Sequence, residues 1–336
     1  MKAIAYQQPL SIQDPLSLQD MDLPEPTVGP RDVLVEVKAV SVNPVDAKIR
    51  ASAQPAPGQW RVLGWDASGI VKAVGADVRL FKPGDRVWYA GDLRRPGSNS
   101  ELQVVDERLV GHAPESLNFA QAAAMPLTTI TAWEMLFDRL QLQRAGHHGE
   151  SLLVVGAAGG VGSMLVQLAR QLTGLNVIAT ASRPETTQWV QSLGAHHVLD
   201  HRKPLAQELQ QQGLPAPKYV VSLTHSEQHM PQIAQLIAPQ GRWGLIDDPA
   251  SLDIRLFKSK SVSVHWELMF TRSMFSTEDM QAQHALLTEV GKLVDAGSLQ
   301  TTMGEHLGRI DAANLRRAHS LIESEHTRGK LVLENF

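Results

Sequence analysis

The sequence predicts a two-domain α/β protein: a β-rich domain followed by a doubly wound parallel sheet. Three observations predict it. The chain has 336 residues, more than one ordinary domain needs. Its first part carries short apolar segments separated by Pro and Gly. From Ser151 onward, strand-like and helix-like segments alternate, which is the signature of a parallel sheet covered on both faces. We place the β-rich domain at residues 1–124, the parallel sheet at 125–265, and a return to the first domain at 266–336.

The elements follow in order. Pro24, Pro26, Gly29 and Pro30 form a loop ahead of Val33 to Val40, which alternates as a half-buried strand does. Ser68 to Val74 reads as the next strand and stops at Gly75-Ala76-Asp77. Lys82-Pro83-Gly84-Asp85 is a tight turn, with Pro and Gly where turn geometry favours them. Val87 to Ala90 and Leu102 to Val105 resume extended structure, and Ala122 to Leu140 reads as helices around Pro126. Ser151 to Val155 is a buried-type strand. The helix after it shows one apolar face, Val161, Met164, Leu165, Leu168 and Leu172. Asn176–Ala181, His197–Leu199, Tyr219–Leu223, Arg242–Ile246 and Ser261–Trp266 read as strands. Helices are expected at Pro184–Leu193, Met230–Ile237 and Met280–Ala296, and the Gln-rich patch at 207–212 as a solvated helix end. Lys330 to Leu333 reads as a strand that rejoins the first domain.

Composition removes several function classes. There is no cysteine, so disulfides, thiolate zinc sites, iron–sulfur clusters and a cysteine nucleophile are impossible. A net charge of -4 offers no field to gather nucleic acid or an anionic membrane, so neither is expected as a partner. Met1 to Tyr6 is followed by Gln7, Gln8 and Pro9, so no apolar signal region forms and a cytoplasmic location is expected. The most apolar long stretch, Ser151 to Ala169, is broken by four glycines and Gln167, a poor spanning helix.

The sharpest motif is Gly156-Ala157-Ala158-Gly159-Gly160-Val161-Gly162, which follows a strand and opens a helix. That context is the one a dinucleotide fingerprint requires. Gly159 and Gly162 take the last two glycine positions of the pattern and Ala157 the first. Glycines let a backbone approach a diphosphate closely, and the helix start offers free N–H groups and the positive end of its dipole. The expected contacts are Ala158, Gly159, Gly160, Val161 and Gly162. An acidic residue about 20 positions later would grip a ribose 2′-hydroxyl. Here the second strand ends Ala179-Thr180-Ala181-Ser182-Arg183-Pro184, without a carboxylate. Ser182 can donate a hydrogen bond and Arg183 can pair with a phosphate, which points to NADPH. His201 and Arg202 end the next strand and stand as further candidates, with ordinary surface residues as the alternative. Ile246, at a later strand end, and Lys330 complete the expected cofactor set.

At this point the chain resembles the medium-chain dehydrogenase/reductase superfamily, and within it the zinc-free quinone oxidoreductase branch. The motifs are Asn43-Pro44-Val45-Asp46, Gly64-Trp65-Asp66-Ala67-Ser68-Gly69, Lys82-Pro83-Gly84-Asp85-Arg86-Val87, the glycine loop and Gly329-Lys330-Leu331-Val332-Leu333. They span the chain. His265 to Phe270 resembles a subgroup often labelled zinc-type alcohol dehydrogenase. The resemblance implies a GroES-like catalytic domain, a Rossmann domain, a cofactor in the cleft between them, and a homodimer or a dimer of dimers. It also implies that the zinc-ligand positions of metal-using relatives hold Asn43, Trp65 and a residue near Leu127, none of them a plausible zinc ligand. The segment 91–100 is too short for a structural zinc lobe. Adjacent histidines at 147–148 and 196–197 would point to opposite faces of a strand, so no metal is expected.

Without a metal to polarise an alcohol oxygen, hydride addition to an already electrophilic acceptor is the easier chemistry. A quinone or an α,β-unsaturated carbonyl fits. By family analogy Asn43 donates to the acceptor or the carboxamide, Asp46 orders its Pro-marked loop or a proton-relay water, and Thr131 approaches the nicotinamide. Trp65 lines the acceptor site or packs the core, Tyr89 is a conceivable proton donor, and Asp66 is structural. Two other readings stand beside this one: a metal-free aldehyde or ketone reductase, and an NADPH-binding sensor with little turnover.

Overall fold

In the computed structural model, which describes residues 1–336, the regular structure before residue 113 is mostly strand. The strands are β1 (Lys2–Tyr6), β2 (Gln19–Asp22), β3 (Asp32–Val42), β4 (Arg61–Val62), β5 (Ala67–Val74), β6 (Arg86–Tyr89), β7 (Leu102–Asp106) and β8 (Val110–His112). A three-stranded antiparallel sheet runs β2-β1-β4. The longest strand, β3, buries Val33, Val35 and Val37 on one face and leaves Leu34, Glu36 and Lys38 half-exposed. From Ala39 to Val42 both faces are buried, so the strand dives into the core. It pairs antiparallel with both β5 and β7, and register shifts in β3 and β5 accommodate the two partners.

Helix α1 (Pro44–Ser52) follows β3 at once. This corrects the sequence reading of the Asn43–Asp46 segment as a loop. Pro44 suits the first helical position, where a missing N–H costs nothing. Asp46 lies at the third helical position, and its carboxylate accepts from the Asn43 N–H at 2.7 Å. Helices α2 (Phe119–Ala123) and α3 (Pro126–Trp133) break at Pro126 as expected, and a π-helical turn at Glu134–Arg139 continues α3.

The middle of the chain alternates β9 (Ser151–Val155), α4 (Gly160–Leu172), β10 (Asn176–Thr180), α5 (Pro184–Ser192), β11 (His197–Leu199), α6 (Leu205–Gln211), β12 (Tyr219–Ser222), α7 (Ser226–Leu236), β13 (Arg242–Leu245) and β14 (Ser263–Trp266). All five pairings are parallel, in the order β11-β10-β9-β12-β13-β14. The chain steps outward from β9 to β11, then restarts at β12 on the other side. The carboxyl ends of β9 and β12 therefore flank a topological switch point, where open parallel sheets bind ligands. Leu153, Ile178, Val220 and Leu245 centre the core, and Trp243 stacks on Phe257 with ring centroids 4.9 Å apart. No helix is long and apolar enough to cross a membrane.

The last part supplies α8 (Thr271–Phe275), α9 (Ala282–Asp295), β15 (Met303–His306), α10 (Ala312–Glu323) and β16 (Lys330–Glu334). As expected, β16 returns to the β-rich sheet, pairing antiparallel with β3 in the register Leu331↔Val42. The two units are Met1–Ile130 with Phe270–Phe336, and Thr131–Met269. The borders lie a few residues past those set from sequence, at 130/131 and 269/270. The Leu127 N–H donates to Asp66, and the Phe270 ring packs edge-on against Trp65, so both segments belong to the β-rich unit.

Helices α1 and α10 pack on each other and enclose His319, which is 0% exposed and has no hydrogen-bond partner on either ring nitrogen. Burial, with a smaller push from Arg50, lowers its pKa from 6.5 to about 3. The unfolded chain therefore binds a proton between these values that the folded chain refuses. The stability is full above the unfolded value and is lost as pH falls through the window. At about pH 5 the loss is expected to reach ~2 kcal/mol, read as a lower urea midpoint than at neutral pH. His319→Phe should flatten that acid slope. An unchanged slope in the variant would place the acid sensitivity elsewhere.

Candidate functional site

The loop after β9 is built to receive an anion. Gly156 sits at φ +82°, where a side chain is strained, and its N–H donates to Thr180 Oγ1 at 3.0 Å. Gly159 begins α4 with no side-chain cap. The first amide bonded back into the helix is that of Ser163, to Gly159 O at 2.9 Å. The N–H groups of Gly160, Val161 and Gly162 thus occupy the positions a helix leaves without an internal partner. A Cβ on Gly162 would lie 2.5 Å from Ala157 Cα and 2.6 Å from its carbonyl carbon, so only glycine lets α4 approach β9 this closely. A Cβ on Gly159 would meet nothing nearer than Gly156 O at 3.7 Å. The loop is an open, glycine-walled cradle beneath a helix start, and a diphosphate fits it.

The other strand ends of the same sheet carry the remaining candidates. Ser182 and Arg183 follow β10, both half-buried. Arg183 Nε reaches Glu185 Oε1 at 3.2 Å with the two side chains 40% and 54% exposed, so the pair is weak enough to exchange for a phosphate. His201 follows β11 and is exposed, between Asp200 and Arg202. Those two form a bidentate pair at 3.0 and 2.7 Å, so Arg202 is already engaged. Ile246 follows β13 and is half-buried. The sequence reading missed His225, which follows β12 in the left-handed region at φ 51°. A rule that inspects the residues after every strand of a parallel sheet would have found it. Behind it, Ser222 Oγ meets Ser226 Oγ at 2.7 Å, and the Ser226 N–H donates to Asp247 at 2.8 Å. Glu267, in the segment that resembles the zinc-type subgroup, is buried on Arg139 at 2.6 Å, and burial beside Glu134 holds its carboxyl well above the usual carboxylate range.

The β-rich unit holds a separate polar centre. Lys330 is 3% exposed, and Nζ donates to Val42 O at 2.9 Å, Asn43 Oδ1 at 2.6 Å and Asp66 Oδ2 at 3.0 Å. Asp66 is fully buried and also accepts from Ser41 Oγ at 2.9 Å, Asn43 Nδ2 at 3.1 Å and the Leu127 N–H at 2.9 Å. Two expectations are corrected here. All three Lys330 hydrogens are spent inside the unit, so its side chain is not a cofactor contact. The Asn43 amide is likewise committed, with its second hydrogen directed at Trp65 O, 3.4 Å away, so it positions the β3–α1 junction rather than offering a free donor. Asp46 accepts from the Asn43 N–H and, at 3.0 Å, from the Gly64 N–H, which is the loop-ordering role. Burial pushes its carboxyl up to about 7, against those two N–H groups and Lys330.

The aromatic candidates are also enclosed. Trp65 is 0% exposed, with Nε1 on Asp92 O at 3.3 Å, so it packs the core rather than lining an open site. Tyr89 is 0% exposed with an unpartnered hydroxyl, and burial raises its pKa, the opposite of what a proton donor to a substrate needs. Thr131 is buried in α3.

Zinc does not fit these residues. Asn43, Trp65 and Leu127 cannot supply a ligand set, both Asp66 oxygens already accept hydrogen bonds, and an ammonium stands 3.0 Å from its carboxylate. No group of three His, Cys, Asp or Glu is placed to hold a metal ion. His147 lies in a turn at φ 70°, not on a strand, and faces Glu150 and Tyr219.

Comparisons with known proteins agree with this architecture. The family model described as alcohol dehydrogenase GroES-like domain matches residues 29–127, and the one described as zinc-binding dehydrogenase matches residues 193–333. The zinc-type alcohol dehydrogenase-like protein SAS2087 of Staphylococcus aureus is 37% identical over 337 residues, covering 99% of each chain. A crystal structure of a Rhizobium etli CFN 42 protein, named provisionally as a zinc-dependent alcohol dehydrogenase, superposes with a TM-score of 0.96 at 57% identity, covering 100% of this chain and 98% of that one. The quinone oxidoreductase of Pseudomonas syringae superposes with a TM-score of 0.81 at 27% identity, covering 99% of both.

Proposed function

Because the chain belongs to the medium-chain dehydrogenase/reductase superfamily, we propose that it is an NADPH-dependent oxidoreductase that delivers hydride to a quinone or another α,β-unsaturated carbonyl without zinc. The observation that carries the proposal is the uncapped glycine cradle after β9, next to a β10 end that offers Ser182 and Arg183 and no carboxylate. When bound, the coenzyme supplies the hydride. The chain's own work is to hold the diphosphate on the amides of Gly160, Val161 and Gly162 and the extra phosphate on Arg183. We assign the acceptor-facing role to the β3–α1 junction, where Asp46, Asp66 and Lys330 hold the backbone in one arrangement. That rigidity supports hydride transfer to a small electrophile whose conjugation spreads the arriving charge. The donor set at this junction gives zinc no ligands, which supports the metal-free reading.

The test is steady-state NADPH consumption against a quinone, an enone and an aldehyde, each with and without chelator. Quinone and enone turnover indifferent to chelator is expected. Chelator-sensitive alcohol oxidation would overturn the zinc-free reading, and an aldehyde preference would favour the carbonyl-reductase alternative. Arg183→Ala should weaken NADPH by about tenfold and NADH by far less, the worth of one charge-assisted contact. Equal losses would remove the case for a phosphate contact there.

A further inference from the structure

We propose that His225 and His229 join Arg183 and His201 in a proton-dependent pocket for the phosphate on the adenosine ribose, so that preference for the phosphorylated coenzyme rises as the solution becomes more acidic. This rests on the NADPH reading above and adds the residues that tune it.

Topology brings the groups to one edge. All strands in the order β11-β10-β9-β12 are parallel, so the carboxyl ends of β10, β11 and β12 share one rim, with β12 two strands from β10 and three from β11. The first charged or titratable groups past those ends are Arg183, Asp200 with His201, and His225. His229 lies in the first turn of α7, and its N–H donates to the His225 carbonyl at 3.1 Å. These residues sense one another: Arg183 and His225 both act on His201, and His201 and His225 both act on His229.

The placement of His225 is enforced. A residue with a Cβ seldom adopts φ 51°, ψ 35°, and such conformations persist where the surroundings demand them. Asp247 holds the next residue, Ser226, through both its N–H and its hydroxyl, and Thr224 Oγ1 meets His225 Nδ1 at 2.7 Å. The result is a fixed backbone at the start of α7 and an imidazole held against the Thr224 hydroxyl.

The charge balance gives the sign. Arg202 is neutralised by Asp200, and Lys203 pairs with Glu208 at 3.2 Å. Arg183 is partly offset by Glu185, and Asp247 is occupied by Ser226. Partial desolvation of the rings, with smaller pushes from neighbouring groups, holds His201 and His229 below the ordinary histidine value even though His201 is exposed at the surface, so in the free protein they are mostly neutral at neutral pH. A phosphate dianion arriving among them favours the imidazolium form. Binding then takes up protons, and affinity climbs as pH falls through the histidine range. NADH lacks the phosphate and has no such linkage.

The experiment measures the affinities of the full chain for NADPH and NADH between about pH 6 and about pH 8. The NADPH-over-NADH preference should fall by about tenfold across that window as imidazolium is lost. In the double variant His225→Gln, His229→Gln it should vary by less than about twofold, with thermal unfolding of the coenzyme-free variant reporting that the fold is kept. A wild-type preference that is flat with pH, or a double variant that keeps the full slope, would overturn this proposal while leaving the coenzyme assignment intact. NADPH binding no tighter than NADH at any pH would overturn both.

Discussion

Lys330→Met is expected to cost roughly 3–5 kcal/mol of folding free energy near neutral pH, the range for removing one partner of a buried ion pair. The size follows from what is left behind. Asp66 is 0% exposed, and its carboxylate would retain three uncharged donors but no cation. Burial already raises its pKa, and Lys330 is the largest influence pulling it down. Without Lys330 the carboxyl would take a proton in the folded chain well above its unfolded value of 3.8. The sign of the pH dependence follows. Stability of the variant is fully kept below the unfolded value of 3.8 and is lost as pH rises from there through the raised folded value. Urea unfolding of wild type and variant at acid and neutral pH reads both effects. Adding Asp66→Leu to the variant should recover part of the loss, because an apolar pair no longer buries a charge. Recovery would be incomplete, since Ser41, Asn43 and the Leu127 N–H lose their acceptor. A single variant within about 1 kcal/mol of wild type would show that the pair is not a structural keystone.

The same pair shows where sequence reasoning stops. Lys330 and Asn43 meet across 287 residues, and no periodicity or local spacing carries that information. Sequence alone therefore points Lys330 at the coenzyme, whereas β16 carries it back beside β3. The β3–α1 junction was misread for a smaller reason. Asn43-Pro44 looks like a turn, but an N-cap, a proline at the first position and an acid at the third are also how a helix starts. The glycine loop was legible because strand, turn and helix start are consecutive in sequence. The place of Arg183 after β10 was legible because that strand end lies a fixed distance downstream of the loop. His225 was not, because the strand order that sets β12 beside β9 is a property of the sheet and not of any short segment.

Two glycines of the cradle should fail in different ways. Gly159→Ala is expected to lower coenzyme affinity by about a hundredfold while leaving the melting temperature nearly unchanged, as a methyl group set against a bound diphosphate would do. The backbone there, φ -75° and ψ -178°, is open to any residue, and the added carbon touches nothing in the protein closer than 3.7 Å. The damage would fall on whatever approaches from outside. Gly162→Ala drives its new carbon to 2.5 Å from the backbone of Ala157, which cannot swing aside as a side chain could. It should therefore lose coenzyme binding and also about 1–3 kcal/mol of stability, the usual toll of overpacking. Coenzyme titration beside thermal melting separates the two outcomes. If Gly159→Ala bound NADPH as wild type does, the open space above that residue would not be the seat of the diphosphate. The uncapped amides at the start of α4 would then be only the end of a helix, and the redox assignment would lose its physical basis.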